Sequence, residues 1–75
     1  MNFPEAVVAA HDWAVENNAT VTITKVHGID GFDGKIWSSF IIHTKGTAPG
    51  AFAKANQEIT DFFQKMDEDF SFTVG

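Results

Sequence analysis

The chain has 75 residues, no cysteine and a formal net charge of −5, which excludes a disulfide framework, a thiolate zinc site and a multi-domain arrangement. All the basic residues are lysines, scattered at 25, 35, 45, 54 and 65. Without an arginine fork or a continuous positive track, direct nucleic-acid binding is not expected.

A domain this small buries only about 60% of the surface its unfolded chain exposes. Eight Phe and two Trp supply large blocks of buried area in compensation. The N-terminal MNFPEAVV lacks the basic start of a secretory signal, and Glu5 interrupts it early. No apolar run approaches the roughly 18 residues of a membrane span. The expectation is a soluble, cytoplasmic chain of one domain, residues 1–75, without membrane contact.

Residues Pro4 to Asn17 read as a helix, because Phe3, Ala6, Val7, Ala10, Trp13 and Ala14 recur at three-and-four spacing. Pro4 suits a first helical turn, and Asn17-Asn18 suits a stop. Thr20 to Ile29 and Lys35 to Lys45 are β-branched and read as two strands. Between them Gly31-Phe32-Asp33-Gly34 forms the loop of a hairpin in which Asp30 faces Lys35. That register sets Val21, Ile23 and Ile29 on one face with Ile36, Phe40 and Ile42, which is expected to be core. The opposite face carries Thr22, Thr24, Val26, Trp37, Ser39, Ile41 and His43. A one-residue slip would mix the two sets, so burial favours this parity.

GTAPG, residues 46–50, breaks the chain. A second helix is expected from Ala51 to Met66, with Phe52, Ala55, Ile59, Phe62, Phe63 and Met66 on one stripe. The pairs Lys54–Glu58 and Asp61–Lys65 lie four apart on it. Phe70, Phe72 and Val74 then alternate with Ser71 and Thr73, as a short third strand or a frayed apolar tail. The fold class is α+β: a two-layer α-β-β-α-β chain with two helices on one face of a mostly antiparallel sheet, in strand order 3-1-2. The crossover through the second helix makes the last strand parallel to the second, so it pairs antiparallel beside the first.

The GIDGFDGKIW stretch fails as a calcium loop. Starting at Asp30 it would place Phe32 and Gly34 at ligand positions and Ile41 where a bidentate acid belongs. It fits a turn, with Asp-Gly supplying the positive-φ residues a hairpin needs. Phe32 at its tip is then an unexpected exposed aromatic and a contact candidate.

His11, His27 and His43 show no metal-ligand spacing, and the register sends His27 and His43 to opposite sheet faces. No GxSxG elbow or phosphate loop occurs. A domain this small has little room for an enclosed pocket. Neither enzyme, cofactor nor metal site is expected.

Charge is unevenly placed: −3 over residues 1–19, +1 over 20–47 and −3 over 48–75. Glu5, Asp12 and Glu16 share one helical stripe, and Asp67-Glu68-Asp69 form a run. They read either as a solvated surface or as an acidic face for a basic partner, including a nucleic-acid-binding protein approached by mimicry of DNA. The second sheet face, with Trp37, Val26, Ile41 and His43, has nothing left in the chain to cover it and has the composition of a contact surface.

Three readings follow from these residues. The leading one is a protein-binding module, an inhibitor or adaptor that occludes another protein. In size and charge it is analogous to small acidic bacteriophage and mobile-element proteins that block host enzymes. The second is a homodimeric or larger structural subunit built through Trp37 and Ile41. The third is a minimal metal-dependent enzyme using histidines and carboxylates.

Overall fold

In the computed structural model, which describes residues 1–75, the elements run α1 (Phe3–Glu16), β1 (Thr20–Ile29), β2 (Ile36–Lys45), α2 (Ala51–Ala55), α3 (Gln57–Lys65) and β3 (Phe70–Val74). Asn2 caps α1, its Oδ1 accepting the Glu5 amide at 3.0 Å, and Pro4 lies in the first turn. The helix stops at Asn17-Asn18, where Asn18 takes the left-handed conformation at φ 51°.

The strands form one antiparallel sheet in the order β2-β1-β3, the expected order read from the other edge. The β1–β2 ladder runs unbroken from Ile29↔Ile36 to Thr20↔Lys45, the register that burial favoured. At its end Asp30 N–H donates to the Lys35 carbonyl at 2.8 Å, and Gly34 closes the loop at φ 72°. Of the turn residues only Gly34 adopts positive φ; Asp33 does not.

Both helical segments pack on the face that presents Val21 and Ile23. Ala6, Ala10 and Ala14 are fully buried along α1, and their small size lets the helix lie close to Val21, Ile23, Phe52 and Phe63. Phe3 meets Phe63, Phe70 and Phe72 edge-on, at centroid distances of 5.8, 5.6 and 5.8 Å. This cluster, together with pairing to residues 21–25 of β1, makes the C-terminal segment a strand rather than a frayed tail.

Two expectations need correction. The second helix is not continuous: Asn56, at φ −129° and ψ 54°, divides it into α2 and α3. Asn56 bonds locally instead, its amide and its Nδ2 both donating to the Phe52 carbonyl. The break interrupts the apolar stripe, leaving Ala55 exposed while Phe52, Ile59 and Phe63 are buried. It also separates Lys54 from Glu58. Neither that pair nor Asp61–Lys65 forms an ion pair, and Asp61 accepts from Gln57 Nε2 at 2.9 Å instead.

The second correction concerns the far end of the hairpin. Ile29 and Ile36 face the helix side, as parity requires, but are 72% and 77% exposed. Each hairpin strand has ten residues, about 33 Å at roughly 3.3 Å per residue, whereas β3 has five. Beyond Lys25 the hairpin therefore leaves both β3 and the core behind. It projects as a two-stranded arm from a molecule 45 × 25 × 18 Å in extent.

Candidate functional site

The outer sheet face is built by the residues whose parity turns them away from the helices: Thr22, Thr24, Val26 and Gly28 on β1, Trp37, Ser39, Ile41 and His43 on β2, Ser71 and Thr73 on β3. No element covers it. Trp37 is 50% and Ile41 55% exposed. Val26 is half-buried and His43 exposed.

Trp37 neither folds over the sheet edge nor reaches a helix. Its register partner is Gly28, and a Cβ at 28 would collide with Cζ2 and Cε2 of the indole. The glycine thus forms a seat on which the indole lies against the neighbouring strand, with its other side open to solvent. Towards β3 the same face turns polar through two hydroxyl pairs, Thr22–Thr73 at 2.9 Å and Thr24–Ser71 at 3.0 Å. These pairs occupy the positions where antiparallel side chains approach closest and leave the face flat beside the indole.

No carboxylate lies on this face. Glu5, Asp12 and Glu16 are on α1, Glu58 and Asp61 on α3, and Asp67, Glu68 and Asp69 between α3 and β3. The hairpin's two acids are engaged in their own loop: Asp30 Oδ1 accepts the Phe32 amide at 2.8 Å and Asp33 Oδ1 the Lys35 amide at 3.0 Å. The charges sharing the outer parity are Lys45, at the end of β2, and the facing pair Asp30 and Lys35, one step beyond the far end of the ladder. A strongly acidic chain therefore presents one uncharged, aromatic face, with Lys45 at one end and Lys35 opposite Asp30 at the other. At the arm's tip Phe32 is 99% exposed.

The sequence-predicted contact residues fall into two groups on opposite sides. Trp37, Ile41, Val26 and His43 are brought together, with Phe32 beyond them at the tip. Glu5, Asp12 and Glu16 are exposed on α1, across the sheet. Glu5 and Asp12 flank a shallow groove of about 380 Å³ floored by Pro4, Val8 and Ala9, and Glu16 lies outside it. Asp67 and Glu68 are exposed. Asp69 is tied down, accepting from the His27 ring Nδ1 at 2.6 Å. That hydrogen bond, with lesser help from the His27 backbone amide and ring charge and opposed by desolvation, holds its carboxyl below the ordinary value of 3.8.

His11 stands 3.8 Å from Asp12 on α1, His27 is on the helix side and His43 on the outer face. No three histidine or carboxylate side chains converge closely enough to hold a metal ion. No helix is long and apolar enough to cross a membrane.

Sequence reading missed Gly28 as the seat of the indole and Asp69 as the partner of His27. The first was recoverable, since the register that faces Asp30 with Lys35 also faces Gly28 with Trp37. The second depends on the placement of β3 and left no local signal. Searches of protein-family models, curated proteins and solved structures find no match to this chain.

Proposed function

We propose that this chain is a small acidic protein-binding module, an inhibitor or adaptor that occludes a partner protein with its outer sheet face. The observation that carries the reading is the seated, half-exposed Trp37 on the projecting part of a face whose strands carry no carboxylate. A rigid aromatic anchor beside β-branched and hydroxyl side chains has the composition of a binding hot spot and its polar surround. Lys45, at the end of the face away from the arm, fits a partner patch that is apolar within and acidic at its rim. Phe32 extends the surface along the arm. The absence of cysteine suits a reducing cytoplasm as the place of action.

The test is affinity capture from a lysate of the encoding organism with three baits: the natural chain, Trp37→Ser combined with Ile41→Ser, and Glu5→Lys combined with Glu16→Lys. A protein held by the first and third baits but lost from the second is the expected result. Loss from the third with retention by the second would move the contact to the acidic helix and overturn this assignment.

A further inference from the structure

The outer edge of β2 is an open strand edge, and the structure assigns its occupant: we propose that β2 of a second copy pairs with it, antiparallel, about a two-fold axis at Ser39. The proposal goes beyond partner docking and does not depend on it.

The backbone argument starts at the hairpin turn. Asp30 N–H donates to the Lys35 carbonyl, so Asp30 and Lys35 stand at a hydrogen-bonded position of the ladder. In an antiparallel ladder such pairs alternate along the strand. With the unbroken β1–β2 register, residues 37, 39, 41 and 43 direct their N–H and C=O groups towards β1. Ile36, Ser38, Phe40, Ile42 and Thr44 direct theirs outward, where no strand lies.

Strand edges of this kind are normally blunted by brevity, proline, a bulge or an interior charge. β2 has none of these: it is ten residues long, unbulged, without proline, and uncharged from Ile36 to Thr44. On the opposite side β3 is only five residues long, and the stretch of β1 it leaves unpaired, Val26 to Ile29, is shorter still. One long open edge and one short one give a closed pair of chains rather than a growing fibre.

The second copy fits because β2 is complementary to itself. With the axis at Ser39, paired residue numbers sum to 78. Ile36, 77% exposed, then meets Ile42 of the second copy on the helix side. On the outer side Trp37, 50% exposed, meets Ile41, 55% exposed. Lys35 comes opposite His43 and Lys45 lies beyond the paired stretch, so neither lysine faces another. Moving the axis to Phe40 would instead set Lys35 against Lys45, two like charges directly opposed. The edge is also the least acidic part of the chain, since all acids except Asp30 and Asp33 belong to the helices or the turn before β3. Two chains of net charge −5 can therefore meet there with little repulsion. The product is a six-stranded sheet with a doubled, continuous outer face.

Sedimentation equilibrium tests this. The natural chain is expected at twice its 8.2 kDa mass. Ser38→Pro removes only an outward-pointing N–H, so it should halve the mass and leave the far-UV circular dichroism unchanged. At the axis the two Ser39 side chains face each other. Ser39→Lys alone and Ser39→Glu alone should each be single chains, and an equimolar mixture should recover the double mass. If Ser38→Pro fails to fold, the Ser39 series decides. A natural chain at single mass up to its solubility limit overturns the proposal, as does a double mass that survives in Ser39→Lys and Ser39→Glu separately.

Discussion

Gly28 and Trp37 are register partners across β1 and β2, and the indole occupies the volume that any side chain at 28 would fill. The exposure of Trp37 is thus a placed exposure, in which one side of the ring is packed and the other is free. A glycine within a strand ordinarily costs stability relative to alanine, roughly 0.5–1 kcal/mol. Here it provides the seat for the side chain with the largest contact area on the face.

Gly28→Ala should therefore lift the indole without unfolding the chain. Expected results are a red-shifted Trp37 emission, read in a Trp13→Phe background, and a stability change within about 1 kcal/mol by denaturant titration. Emission unchanged from the parent would show that the ring does not rest on Gly28.

Asp69 and His27 make a pH-dependent tie between the turn before β3 and the start of the projecting arm. The folded carboxyl titrates below its ordinary value of 3.8. The sign follows from linkage: a carboxyl with a depressed folded pKa contributes stability that is present above the unfolded value and lost as pH falls through the folded one. Asp69→Asn should thus narrow its stability gap to the natural chain as pH drops through that acidic window. Carboxyl-carbon NMR should also give a lower midpoint for Asp69 in the natural chain than in His27→Ala. A gap constant across the window would show that the tie contributes nothing.

Lys25 is the one charged side chain in the core, 8% exposed on the helix side of β1, with Nζ donating to the Gln64 carbonyl in the last turn of α3. The cation satisfies an end carbonyl and lies at the negative pole of the helix. Lys25→Met keeps the apolar stem and removes the bond, at an expected cost of about 1.5–3 kcal/mol. Urea unfolding at unchanged m-value is the measurement. A variant as stable as the parent would show that water serves that carbonyl equally well.

Much of this molecule is decided by the order of its residues. Period 3.6 in α1, period 2 in the hairpin and the Asp-Gly turn specify α1, the two long strands and the β1–β2 register, because each rests on contacts between residues close in sequence. The sheet order followed instead from the handedness rule for the crossover, since β3 pairs with residues about fifty positions away. The same register separates the Trp37 face from the Val21–Ile23 face, so the candidate contact surface was legible as well. Residue order alone did not decide how far the core extends. Ile29 and Ile36 have the parity of buried residues, yet they lie beyond the reach of five-residue β3 and of the helices, and burial needs a neighbour as well as a direction. The break at Asn56 likewise defeats a smooth apolar stripe, since a local hydrogen bond to Phe52 competes with the helix. Lys25 and His27 acquire their partners, Gln64 and Asp69, only when the chain closes, from residues about forty positions away. Tertiary structure settled these points because each depends on which surfaces meet.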